Sequence, residues 1–119
     1  MILDRPRVLL HVEGLAIFAG AFVLYVDGDY SWLLFAALGL APDLSFAAYA
    51  AGPRVGAAGY NLLHSLVLPL ALGTYGVVGD SDAATAVALV WLAHIGVDRA
   101  LGYGLKYPTG FKDTHVSRL

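Results

Sequence analysis

The chain has 119 residues, seven basic and nine acidic groups for a net charge of −2, and no cysteine. Hydrophobic residues make up 59% and charged residues 13% of it, against about 45–50% and about 25% in soluble globular domains, which excludes an ordinary water-soluble domain. No basic stripe exists to meet nucleic-acid phosphates, so no nucleic-acid partner is expected. The missing thiols exclude a disulfide framework and thiolate metal sites.

Four apolar runs follow one another, at about residues 8–26, 32–51, 55–78 and 83–101, each near the ~20 residues that cross a hydrocarbon core about 30 Å thick. Backbone groups in lipid must be satisfied within the segment, so the runs are helices. The expected fold is all-α: a four-transmembrane-helix bundle forming one integral membrane domain over residues 1–119. Run one contains Glu13, which argues against a cleaved signal peptide. Pro42 in run two and Pro69 in run three are expected to kink or break those spans and to free carbonyls that polar neighbours must satisfy. Gly52, Gly56, Gly59, Gly96, Gly102 and Gly104 suit close helix packing. A polar tail follows at about 106–119.

Arg5, Arg7, Arg54, Arg99, Lys106, Lys112 and Arg118 all fall on one side of this arrangement, while the opposite loops carry Asp27, Asp29, Asp80 and Asp82. The positive-inside rule then places both termini in the cytoplasm. The expected location is a multi-pass span of the membrane, the cytoplasmic membrane in a prokaryote, with the lipid bilayer as the first partner. Tyr25, Tyr30, Trp32, Tyr103 and Tyr107 suit the interfacial aromatic belts.

Glu13, Asp43, Asn61, His64, His94 and Asp98 lie inside the spans, where an ionisable side chain costs roughly 2.5–3.5 kcal/mol unless paired or wetted. At about 1.5 Å of rise per residue, Glu13 stands about 8 Å in from the basic side, Asp43 about 12 Å, His64 about 14 Å, His94 about 10 Å and Asp98 about 5 Å. That common depth points to a single site. His94 and Asp98 are i,i+4 neighbours and Asn61 and His64 i,i+3 neighbours, so each pair shares a helix face. Two imidazoles with carboxylates form a ligand set for a divalent zinc, manganese or iron. A hydrogen-bonded network that only fixes helix register explains the same residues. Arg99 reads as a snorkelling or carboxylate-pairing residue, and His11 as a neighbour of Glu13 near the membrane surface.

Residues 41–45 (APDLS), 52–56 (GPRVG), 60–65 (YNLLHS), 94–107 (HIGVDRALGYGLKY) and the tail 108–115 (PTGFKDTH) resemble the short integral-membrane family catalogued as domain of unknown function 4260. The resemblance covers nearly the whole chain and implies no activity. The steps Pro42-Asp43 and His64-Ser65 and the pair His94-x-x-x-Asp98 are also similar to bacterial membrane-bound metal-dependent hydrolases. That likeness implies Asp43, His64, His94 and Asp98 as metal ligands or their immediate support, with Glu13 as an additional ligand or general base. Where those hydrolases carry a second acid two positions after the first, this chain has Ser45, one ligand fewer.

Three functions fit. The first is a metal-dependent hydrolase of a lipid or other membrane substrate, in which Glu13 or Asp98 accepts a proton from metal-bound water, Asn61, Ser65 and Arg99 support the site, and Lys106, Lys112 and Arg118 hold an anionic headgroup. The second is a small homo-oligomeric transporter or channel handling protons or ions. The third is a scaffold whose polar network is structural, with the tail as a docking element or folded over the inner mouth.

Overall fold

Pro6 opens helix α1 (Pro6–Asp27) at a position where the missing N–H costs nothing, and the helix runs to Gly28. The computed structural model describes residues 4–106 and 114–115, with all of their side chains except that of Phe46. Helix α2 (Trp32–Leu38) starts at Ser31, whose Oγ accepts the Leu34 N–H at 3.3 Å, and stops before Gly39. A 3-10 helix over Ala41–Ala51 continues the same span. Helices α3 (Pro53–His64) and α4 (Val67–Val78) form the third span, and α5 (Asp82–Leu101) the fourth, capped by Ser81 through the Ala84 N–H at 3.2 Å.

Four helical stretches, Pro6–Asp27, Trp32–Ala51, Pro53–Val78 and Asp82–Leu101, are long and apolar enough to cross a membrane. Their outer faces bear it out. Leu15, Val23, Leu33, Val67, Val77 and Val78 are exposed, a cost in water and none in lipid. Spans two and three are each broken rather than continuous, as Pro42 and Pro69 lead one to expect.

Helix α5 holds the centre, burying Ala86, Ala88, Leu89, Val90, Ala93, Ile95 and Gly96. Helices α1 and α4 pack on it, and the 3-10 helix packs on α3. The approach of α1 to α5 is set by two glycines. A Cβ on Gly96 would lie 2.6 Å from the Phe18 nitrogen and 2.8 Å from the Gly14 oxygen, and one on Gly14 would lie 2.5 Å from the Ala100 nitrogen. Away from the basic side, Tyr25 is fully buried, its hydroxyl donating to the Ser31 carbonyl, among Tyr30, Trp32 and Phe35. It serves the core rather than a lipid-facing belt.

At the other end Gly102 adopts φ 97, which an L side chain resists, and the Tyr103 N–H donates to the Asp98 carbonyl at 2.7 Å. This left-handed cap stops α5 and turns residues 103–106 back towards α3.

Candidate metal centre

The two helix breaks deliver two of the four central side chains. Pro42 cannot continue an α-helical ladder, and the Asp43 N–H donates to the Leu40 carbonyl at 3.1 Å in a tighter turn. The Gly39 carbonyl, which a continuous helix would have paired with Asp43, is thereby left for His94 Nδ1, 2.5 Å away. In span three Pro69 lacks the N–H that would reach Ser65. The α3 helix ends at His64, Ser65 is extended at φ −81, ψ 148, and α4 begins at Val67. The freed carbonyls find donors on α5: Trp91 Nε1 donates to Leu63 at 2.6 Å and Arg99 Nη2 to His64 at 3.2 Å. Irregular backbone at membrane depth needs such internal partners.

Asp43, His64, His94 and Asp98 converge, with one ligand atom from each lying within 4.8 Å of all the others. His64 Nε2 is 3.3 Å from Asp43 Oδ1 and 3.4 Å from Asp98 Oδ2. His94 Nε2 is 3.2 Å from Asp43 Oδ1, 3.3 Å from Asp98 Oδ2 and 3.3 Å from His64 Nε2. A tetrahedral zinc site with bonds of about 2.0–2.1 Å separates its ligand atoms by about 3.3–3.4 Å. Every separation involving an imidazole lies within about 0.2 Å of that spacing, so the group could hold an ion.

The tautomers follow from the second nitrogens. His64 Nδ1 lies 2.9 Å from the Tyr60 carbonyl and His94 Nδ1 against that of Gly39. A carbonyl only accepts, so both Nδ1 atoms carry hydrogen. With Nε2 unprotonated, each ring turns that atom's lone pair to the centre, where two carboxylate oxygens already point. Four such atoms on one point could hold a cation, and an imidazole N–H held by a carbonyl is the usual support of a metal-ligating histidine.

Around this centre, the Tyr60 ring stacks on His64 with centroids 3.7 Å apart and planes 4° apart. Lys106 lies over the Tyr60 ring, its Nζ 4.7 Å from the centroid. Asn61 grips the Lys106 backbone twice, Oδ1 accepting its N–H at 2.6 Å and Nδ2 donating to its carbonyl at 2.7 Å. Next to it the Leu105 N–H donates to His115 Nδ1 at 2.8 Å, the His115 N–H donates to the Leu105 carbonyl at 2.9 Å, and Lys106 bridges to Thr114. Burial pulls the Lys106 ammonium below the ordinary lysine value, with Asp98 opposing. Burial and the Arg99 guanidinium together lower His115.

The remaining expected site residues lie apart from the convergence. Glu13 is exposed on α1. Asn61 faces the returning chain rather than the centre. Ser65 sits in the break before α4, its Oγ accepting the Val67 N–H at 3.3 Å, and Arg99 holds the α3 terminus. His11 ties α1 to α5 through the Ala100 carbonyl at 2.7 Å. Ser45 is buried, and its Oγ has no hydrogen-bond partner among the described residues. Tyr107, Lys112 and Arg118 lie outside the described residues. Sequence reasoning passed over Tyr60, Trp91 and Gly39. Tyr60 was within reach as the i−4 neighbour of His64 on the same face, whereas the Gly39 carbonyl had no side-chain signal.

The family model described as "Domain of unknown function (DUF4260)" matches residues 7–119. No curated protein and no solved structure matches the chain.

Proposed function

The chain belongs to this DUF4260 family, and we propose that it is a membrane enzyme that holds one divalent metal ion between Asp43, His64, His94 and Asp98 and hydrolyses an ester in a membrane substrate. One observation carries the reading: two imidazole lone pairs and two carboxylates meet at 3.2–3.4 Å while both Nδ1 atoms are committed to carbonyls. A bound ion of this kind acidifies a water and polarises the bond to be cleaved. Asp98 lines a cleft that reaches the centre; water entering as a fifth ligand would displace its carboxylate from the ion, and the freed carboxylate would take the proton of the attacking water and return it to the leaving oxygen. Asp43, with its side chain 37% exposed, is the ligand nearest incoming substrate.

A conduit for ions needs polar groups along its whole length. The half of the bundle away from the basic side is filled instead by Ala21, Tyr25, Ala86 and Leu89, which favours an enzyme. The positive-inside pattern supports a cytoplasmic orientation of the site and of both termini.

The test is elemental analysis of detergent-purified protein after loading with zinc or manganese, wild type beside His64→Ala and His94→Ala with helicity checked. About one ion per wild-type chain, lost in both variants, is expected. A wild-type protein that takes up neither metal overturns the proposal without recourse to the variants.

A further inference from the structure

The four ligands leave one flank of the centre open. Asp43, His94 and Asp98 form one end of an open cleft of about 380 Å³, whose walls are Phe18 of α1, Phe35 and Ala36 of α2, Leu40 at the first helix break and Val97 of α5. Leu40 is 71% exposed and Val97 36%, and both sit on membrane-spanning segments, so the cleft opens sideways into lipid rather than towards water. A larger hollow of about 560 Å³ between Leu24, Pro69 and Leu89 touches none of the four ligands.

We infer that this cleft seats one acyl chain of a membrane lipid and presents the carboxylic ester at its head to Asp43, His94 and Asp98. The inference rests on the metal-dependent hydrolase reading above. Ligand pockets run from about 300 to about 1,000 Å³, so this volume takes a single chain and not a two-chain body. The walls offer no polar group until the ligands are reached, which fits a substrate apolar up to the bond that breaks. Of the four ligands Asp98 stands nearest the interface, about 5 Å inside the span, so the lipid group that reaches the centre is the ester at the top of an acyl chain rather than the phosphate beyond it.

In the step assigned, the water oxygen bonds to the acyl carbon and the carbon–oxygen ester bond breaks with its electron pair on the leaving alkoxide. Asp98 moves one proton from the water to that oxygen, giving a carboxylic acid and an alcohol. Because the chain leaves lipid for an equally apolar cleft, burial adds little affinity. Shape and the metal-bound head decide occupancy.

The experiment uses the full chain in detergent, loaded with cobalt so that the visible spectrum reports on the ion, and two probes: dodecanohydroxamate and acetohydroxamate, which share a chelating head. Ala36→Trp, and separately Leu40→Trp, fill the cleft without touching a ligand. The expected result is unchanged cobalt content, dodecanohydroxamate weakened at least tenfold, and acetohydroxamate shifted less than twofold. Equal binding of the long probe to wild type and to a cobalt-retaining variant would overturn the cleft assignment and leave the metal centre standing. Failure of the wild type to bind cobalt would sink the hydrolase reading itself.

Discussion

Replacing Gly96 by alanine puts a methyl group where α1 and α5 touch. Its Cβ would stand 2.6 Å from the Phe18 nitrogen, whereas ordinary contacts begin at 3.4 Å, so the helices must part by about 0.8 Å or the packing must absorb an overpacking cost of about 1–3 kcal/mol. The struck atoms are backbone and have no rotamer in which to retreat. Gly20, also on α1, is the matched control: a Cβ there meets nothing within 4 Å. Both substitutions gain the same helix propensity, about 0.5–1 kcal/mol, so their difference isolates the clash. Gly20→Ala should unfold later than wild type in a fixed detergent, and Gly96→Ala about 1–3 kcal/mol earlier than Gly20→Ala. His94 and Asp98 flank Gly96, so the displaced helix should also hold zinc more weakly. Equal unfolding midpoints for the two variants would refute the close crossing.

Three further outcomes follow from the same geometry. Asn61→Ala removes both grips on Lys106, a change of about 1–3 kcal/mol for the partners left bare; trypsin should then cut after Lys106 faster than in wild type, where this side is 6% exposed, and an unchanged rate would speak against the clamp. His115 titrates below its ordinary 6.5 because of burial and Arg99. A group whose folded value is depressed supports the folded arrangement above its unfolded value and withdraws support as pH falls. Protection of the Leu105 amide should therefore hold above about pH 6.5 and decline below it, and a response that survives in His115→Gln would contradict this. Since the chain has no cysteine, single cysteines report topology cleanly: an impermeant maleimide added outside intact cells should label Asp29→Cys and spare Arg54→Cys, and the reverse pattern would invert the orientation.

Much of the architecture was legible because the bilayer imposes it. Length and apolarity set the four spans, and the two breaks were announced by Pro42 and Pro69. The cost of a charge in lipid singled out Glu13, Asp43, Asn61, His64, His94 and Asp98, common depth suggested one site, and the likeness to the hydrolases named Asp43, His64, His94 and Asp98 as ligands. Glu13 met that criterion equally well and yet is exposed, because one residue's depth does not say which way its helix face turns. Asn61 shared a face with His64 by spacing, and the returning chain after Gly102 captured it.

By itself the sequence determined the membrane environment, the number of spans, the sites of the breaks and the depth of the polar residues, all of which follow from local composition and helix rise. Only the tertiary structure decided that four of those residues meet within 4.8 Å, that the Gly39 and Tyr60 carbonyls hold the two Nδ1 atoms as donors, and that a cleft reaches three of the ligands. Those facts depend on helix rotation and on which backbone groups a break leaves bare. Rotation is set by contacts such as the Gly14–Gly96 crossing, which join residues 82 positions apart and leave no periodic trace in the chain.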